Sequence, residues 1–229
     1  MLSHYPQFRA GADSGVVPKL GGLPWGLPTR LWPICKECGL PMSHLAQLPA
    51  DKQVFPVIPD DEVLFVFKCE WDSICSFWEA DAGANSVFAV QRQLLGNAPT
   101  AAPEDANDGT PVVLPEFGIT GWRADDDGAA AELEEAFYDY GKHNDLPEEI
   151  ASPHDWDGSW RTKAGGVPYW TPNGAMQIPP GRMLFQIYNW IDLEDGNNEE
   201  VANFCSDGTA YVFVDRSQEL PVYSMIINR

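Results

Sequence analysis

The chain is 229 residues long and carries 34 acidic against 14 basic side chains, a formal net charge of −20, with 44% of its residues hydrophobic. There is enough apolar material for one sizeable core or two small lobes packed together, while the charge repels phosphate backbones and anionic membrane surfaces. Nucleic acid and membrane are thereby excluded as natural partners; a basic protein is favoured, with solubility as the plainer use of the charge.

Twenty Gly and twenty Pro predict short strands and many turns rather than long helices. No stretch approaches the ~20 apolar residues of a membrane-spanning helix. The start, Met1 to Pro6, lacks the apolar run of an export signal. Five cysteines, an odd number, then fit a reducing, cytoplasmic setting with metal-bound or free thiols better than a disulfide framework.

Met1 to Val17 read as a polar lead-in, partly ordered at most. In Lys19-Leu20-Gly21-Gly22-Leu23-Pro24-Trp25 two glycines and a proline force a sharp bend and Trp25 supplies an apolar anchor. Cys35-Lys36-Glu37-Cys38 is a C-x2-C knuckle followed by Gly39, and Cys69 and Cys75 form a second, looser pair. Ser43 to Leu48 predicts a short strand with Gln47 as an inserted polar position, and the unbroken apolar run Val63 to Phe67 predicts a strand buried on both faces that carries Cys69 back beside the knuckle. Cys35, Cys38, Cys69 and Cys75 are therefore candidate ligands of one Zn2+ ion, with free thiols or a disulfide as the alternatives. Four cysteine ligands leave no open position for water, so zinc there would be structural.

Ser86 to Gln91 alternates with strand period, residues 96–111 read as a surface loop, and Ile119 to Arg123 as a further strand. Asp125-Asp126-Asp127 then supplies caps for a helix over Ala129 to Tyr140, ended by Gly141. Its Glu132, Glu134, Glu135 and Asp139 predict an acidic outer face. The next stretch repeats the first: Lys163-Ala164-Gly165-Gly166-Val167-Pro168-Tyr169 matches Lys19 to Trp25, Leu184-Phe185-Gln186-Ile187 matches Leu45 to Leu48, and Ala210 to Val214 matches Val63 to Phe67. Three blocks in one order predict an internal duplication, with repeat 1 over about 18–90, an insert over about 91–160 and repeat 2 over about 161–229. Val222 to Ile227 is a last apolar strand. The fold expected is α+β and β-rich, two repeated β lobes packed together with one helix and long loops inserted between them.

Catalytic signatures are scarce. His4, His44, His143 and His154 are scattered and unpaired, and no nucleophile elbow or phosphate-binding glycine loop follows a strand. His154-Asp155-Trp156-Asp157 holds an imidazole near two carboxylates, and Cys205 precedes a strand; a polar loop and an inert thiol are the plainer readings.

The blocks Lys19 to Trp25, Trp32-Pro33-x-Cys35-x2-Cys38-Gly39-x-Pro41-Met42, Leu45-Ala46-Gln47 and Leu64 to Cys69 together resemble the YwqG-like family of bacterial proteins. Met183 to Ile187 and Asp207 to Phe213 fit that family's C-terminal pattern, so the resemblance runs from about Lys19 to the end and makes residues 1–229 a single domain. The N-terminal order also resembles programmed cell death protein 2 and its relatives, which act as dedicated chaperones of a ribosomal protein. The acidic insert and the Cys69 to Cys75 spacing depart from those relatives. What the resemblance implies is a non-enzymatic, chaperone-like binding module for a basic client, with Trp25, Trp32, Trp78 and Trp170 as candidate anchors. A module that neutralises a toxin or effector, or an enzyme with a site between the repeats using His154 or Cys205, are the alternatives.

Overall fold

The computed structural model describes residues 1–71, 75–103, 112–151, 162–170, 177–205 and 207–228. The strands are β1 (Leu2–Ala10), β2 (Lys19–Leu20), β3 (Ser43–Pro49), β4 (Glu62–Lys68), β5 (Asn85–Gln91), β6 (Phe117–Asp126), β7 (Lys163–Gly165), β8 (Arg182–Tyr188), β9 (Trp190–Asp192), β10 (Asn198–Glu200), β11 (Thr209–Asp215) and β12 (Val222–Asn228). Ten of them form one antiparallel sheet in the order β12-β11-β8-β7-β1-β6-β2-β3-β4-β5, and β9 and β10 form a separate hairpin. The sheet is nearly closed on itself. Asn85 Nδ2, at the start of β5, donates to Met225 O of β12 at 3.0 Å, and Ile227 N donates to Trp78 O at 3.4 Å.

The order reads alike from either end. β1 and β6 pair along their length at the centre, each flanked by a two- or three-residue strand, β7 or β2, and then by three longer ones. The same residue types meet on both sides: Lys19 pairs with Gln47 across β2 and β3, and Lys163 with Gln186 across β7 and β8. Both glutamines are fully buried, and each accepts the amide of the aromatic that follows its Gly-Gly-x-Pro bend, Trp25 N at 2.8 Å and Tyr169 N at 2.9 Å. A polar residue inside an apolar strand is thus the hydrogen-bond partner of its turn. Apolar side chains fill both faces of β4, as the sequence predicts, and of β11.

Two expectations are corrected. Residues 2–10 are not a loose lead-in but the central strand β1, in register with β6 from Leu2↔Asp126 to Ala10↔Phe117. Ser3, Tyr5 and Phe8 are its buried side chains, and Pro6 is tolerated because β7 pairs only with Ser3 and His4 and has no ladder bond to lose further along. Nor is there a continuous helix over 129–140. A 3-10 segment, Ala131–Tyr138, precedes two short helices, α1 (Tyr140–Asn144) and α2 (Glu148–Ala151). No side chain caps the 3-10 segment, because Asp127 is engaged elsewhere, and Asp139 adopts an extended backbone and caps α1 through Gly141 N at 3.0 Å. Phe137, wholly buried, fixes the segment, its carbonyl accepting Trp170 Nε1 at 2.6 Å. Part of the expected acidic face is neutralised, since Glu134 and Glu135 both pair with Arg182.

Asp127 closes the end of β6. It faces Lys163 Nζ at 3.3 Å with neither side chain exposed, accepts Val167 N at 2.9 Å, and holds the Met1 α-amino group at 2.7 Å. Burial alone would raise its carboxyl, but Lys163, the α-amino group and the amides outweigh that and hold it at about 2. Burial pushes Lys163 down to about 8 against the pull of Asp127. Its ammonium also lies 3.5 Å from the Tyr169 ring centre.

Since the Asp127 pKa is depressed, its contribution is complete above the unfolded carboxylate pKa, about 4, and is lost as pH falls toward 2. Asp127→Asn is expected to cost roughly 3 kcal/mol at neutral pH, with the gap to wild type closing between about pH 4 and pH 2 in urea titrations. Gly21 and Gly165 both have positive φ, +61° and +70°, but a Cβ at Gly21 would overlap Pro115 O, whereas one at Gly165 meets only Leu2 O at 3.4 Å. Gly21→Ala is therefore expected to cost about 3 kcal/mol or more and Gly165→Ala about 1–2 kcal/mol, measured by chemical denaturation.

Candidate metal centre

The cysteine knuckle lies in the loop that leads into β3. Cys35 N donates to Leu40 O at 2.8 Å and Gly39 N to Cys35 O at 2.9 Å, so residues 35–40 form a closed turn. Gly39, at φ +77°, supplies the left-handed step that the turn needs. Cys69 follows directly on β4, its amide donating to Ala84 O at 2.8 Å, and Cys75 O accepts Phe77 N at 2.8 Å. Further bonds clamp knuckle to loop: Lys36 N to Gly83 O at 3.0 Å, Ser76 N to Glu37 Oε2 at 2.7 Å and Trp71 Nε1 to Pro41 O at 3.2 Å.

These bonds bring the four expected thiols together, all sulfurs within 4.8 Å of one another. Cys35 and Cys75 are 3.9 Å apart, and Cys38 and Cys69 3.6 Å. Four sulfurs at ~2.3 Å from a tetrahedral ion stand about 3.8 Å apart, so the cluster has the dimensions of a four-thiolate site. Cys35, Cys69 and Cys75 are buried and Cys38 is half-buried, which would keep an ion there out of bulk water. None of the five cysteines is in a disulfide, and Cys205 lies outside the cluster.

Burial pushes the Cys69 thiol up to about 11 and the Cys75 thiol up as well. Cys35 is lowered: burial raises it, but hydrogen bonds from the Cys38 and Glu37 amides outweigh that. A cation would have to displace protons from the raised pair, so affinity should fall with pH. Beside Cys69, the buried Lys68 ammonium donates to Cys69 O at 3.0 Å and to Glu70 at 2.7 Å. Its charge favours thiolate in its neighbourhood.

Other expected site residues fall elsewhere. Trp32 and Trp170 are core residues rather than surface anchors, their indoles 7% and 4% exposed and their N–H groups donated to Met42 O and Phe137 O. Trp25 and Trp78 keep partial exposure. Cys205 occupies a left-handed turn, φ +60°, before β11. His44 is buried, Nδ1 lying 3.0 and 3.1 Å from Gly21 O and Gly22 O, and burial reinforced by Lys19 lowers it to about 3, so it is neutral. His154 and its neighbouring carboxylates lie outside the described residues. The sequence reading passed over Trp190, 40% exposed on β9 in an acidic hairpin; its own signal was an aromatic followed by Asp192, Glu194 and Asp195.

No protein-family model matches the chain, and comparison with curated proteins finds no relative. Titrating the metal-free protein with Co2+ is expected to give thiolate charge-transfer and tetrahedral d–d bands saturating at about one ion per chain. Cys38→Ser should abolish that stoichiometry, and Cys205→Ser should leave it unchanged.

Proposed function

We propose that the protein is a non-enzymatic binding module for a basic protein client, chaperone-like, with a structural zinc ion held by Cys35, Cys38, Cys69 and Cys75. The observation that carries the client reading is the β9–β10 hairpin. It exposes Asp192, Glu194, Asp195, Glu199 and Glu200 together with Trp190 and contains no basic residue. Acidic side chains beside an exposed indole suit a cationic surface, through charge attraction and cation–π contact. The zinc reading is supported by four sulfurs lying within 4.8 Å of one another, and a closed set of four ligands fits a staple rather than a catalyst.

We further infer that the chain is an internal duplication of the YwqG-like kind. The mirrored strand order, the paired Lys–Gln registers and the two glutamine-capped turns support it. Glutamine at the matched position of each copy is explained by common descent of one turn-and-strand unit.

The test is capture with the purified full chain as bait, identifying bound proteins at about 50 mM and again at about 500 mM salt. The expected result is one or a few basic proteins whose retention collapses at the higher salt. Partners that are neutral or acidic, or retention indifferent to salt, would count against a basic client.

A further inference from the structure

A cavity of about 520 Å3 opens beside the seam where β5 and β12 approach. Trp78, Glu79 and Asp81 line it from the segment that follows Cys75, and Pro179, Asp215 and Val222 from the second half of the chain. Among the described residues no lysine or arginine lines it. Three carboxylates round a partly apolar space favour a cation, and the indole offers it a π face. At its edge Val222 and Leu220 are 45% and 75% exposed, so apolar surface continues out of the cavity.

The backbone beside the cavity is also open. β12 forms a ladder only with β11, and on its other side Met225 O takes Asn85 and Ile227 N takes Trp78 O. Within a strand the N–H and C=O of one residue point the same way and successive residues alternate. Tyr223 therefore points its amide and carbonyl toward the same side as Met225 and Ile227, between the cavity-lining Val222 and Ser224. Among the described residues no backbone group pairs with them there. That edge is free at Tyr223 alone, since β5 lies against β12 and Met225 and Ile227 are engaged. The Tyr223 amide and carbonyl can pair with the backbone of one added extended segment.

We propose that the cavity and this edge of β12 together take an extended segment of a basic protein. One arginine or lysine side chain enters among Glu79, Asp81 and Asp215, and an apolar neighbour lies against Trp78 and Val222. The proposal rests on the basic-client reading and assigns that client a docking site. Charge complementarity selects the occupant: a second copy of this chain, at −20, would bring acid to acid.

The probe is a fluorescein-labelled Arg-Val-Arg-Val-Arg peptide, with Glu-Val-Glu-Val-Glu as its counterpart, followed by anisotropy on the full chain. Two double variants remove the same charge: Glu79→Gln with Asp215→Asn at the cavity, and Glu132→Gln with Glu149→Gln on exposed acid elsewhere. With melting temperatures unchanged, the cavity pair should weaken the basic peptide about tenfold and the remote pair less than about twofold, while the acidic peptide does not bind. Equal losses in the two pairs would overturn the site and leave a diffuse acidic attraction for clients. Competition by free arginine as strong as by the peptide would overturn the extended segment. Absence of peptide binding in a protein that still captures a basic client would overturn the site alone, and absence of both would overturn the client reading too.

Discussion

Two buried lysines tie the halves of the sheet to its centre. β6 is bracketed by carboxylates, Glu116 just before it and Asp127 just after. Lys19 of β2 reaches Glu116 at 2.5 Å, and Lys163 of β7 reaches Asp127 at 3.3 Å. β2 is two residues long and β7 three, too short for ladder bonds alone to set their place against the central pair. A buried ion pair adds little net stability over a well-packed apolar pair, but a broken one strands a charge in the core. Such pairs therefore penalise wrong registers. Sliding β2 or β7 by one residue would turn its lysine to the other face and leave both partners unpaired.

This explains which parts of the fold were legible in the sequence. β3, β4, β5 and β12 could be read because their apolar or alternating runs bury against neighbours whatever the global topology. β1 could not. Ser3, Tyr5 and Phe8 are a weak alternation broken by Pro6 and by a register shift between Gln7 and Phe8, and the strand exists through its pairing with β6, more than a hundred residues away. The helix expected over 129–140 failed for a related reason. Local propensity assigned the aspartates before it to capping, while tertiary structure spends Asp127 on Lys163. An acidic triplet before an apolar run is ambiguous until the buried cation that claims one of its members is known.

The cysteine site was legible for the opposite reason. A knuckle with two thiols three residues apart, and a buried strand delivering a third, constrain geometry locally. Trp32 and Trp170 show the limit of composition. A tryptophan is as useful to a core as to an interface, and only the carbonyl that accepts its N–H, Met42 O or Phe137 O, tells which.

The metal centre and the cavity are joined by one short segment. Cys75 belongs to the sulfur cluster; Phe77 packs under Lys68, whose ammonium lies 4.0 Å from its ring centre; and Trp78, Glu79 and Asp81 follow into the cavity wall. Asn85 then gathers the segment by donating to Phe77 O at 2.9 Å, Glu79 O at 3.3 Å and Met225 O of β12 at 3.0 Å. A side-chain amide bonded to three carbonyls, one of them across the seam, holds the loop to the sheet edge only while the loop keeps its shape. At its start that shape depends on where Cys75 is held. An ion bound by the four sulfurs would fix the anchor from which Trp78 is presented, so the staple and the proposed docking surface would be parts of one mechanical unit.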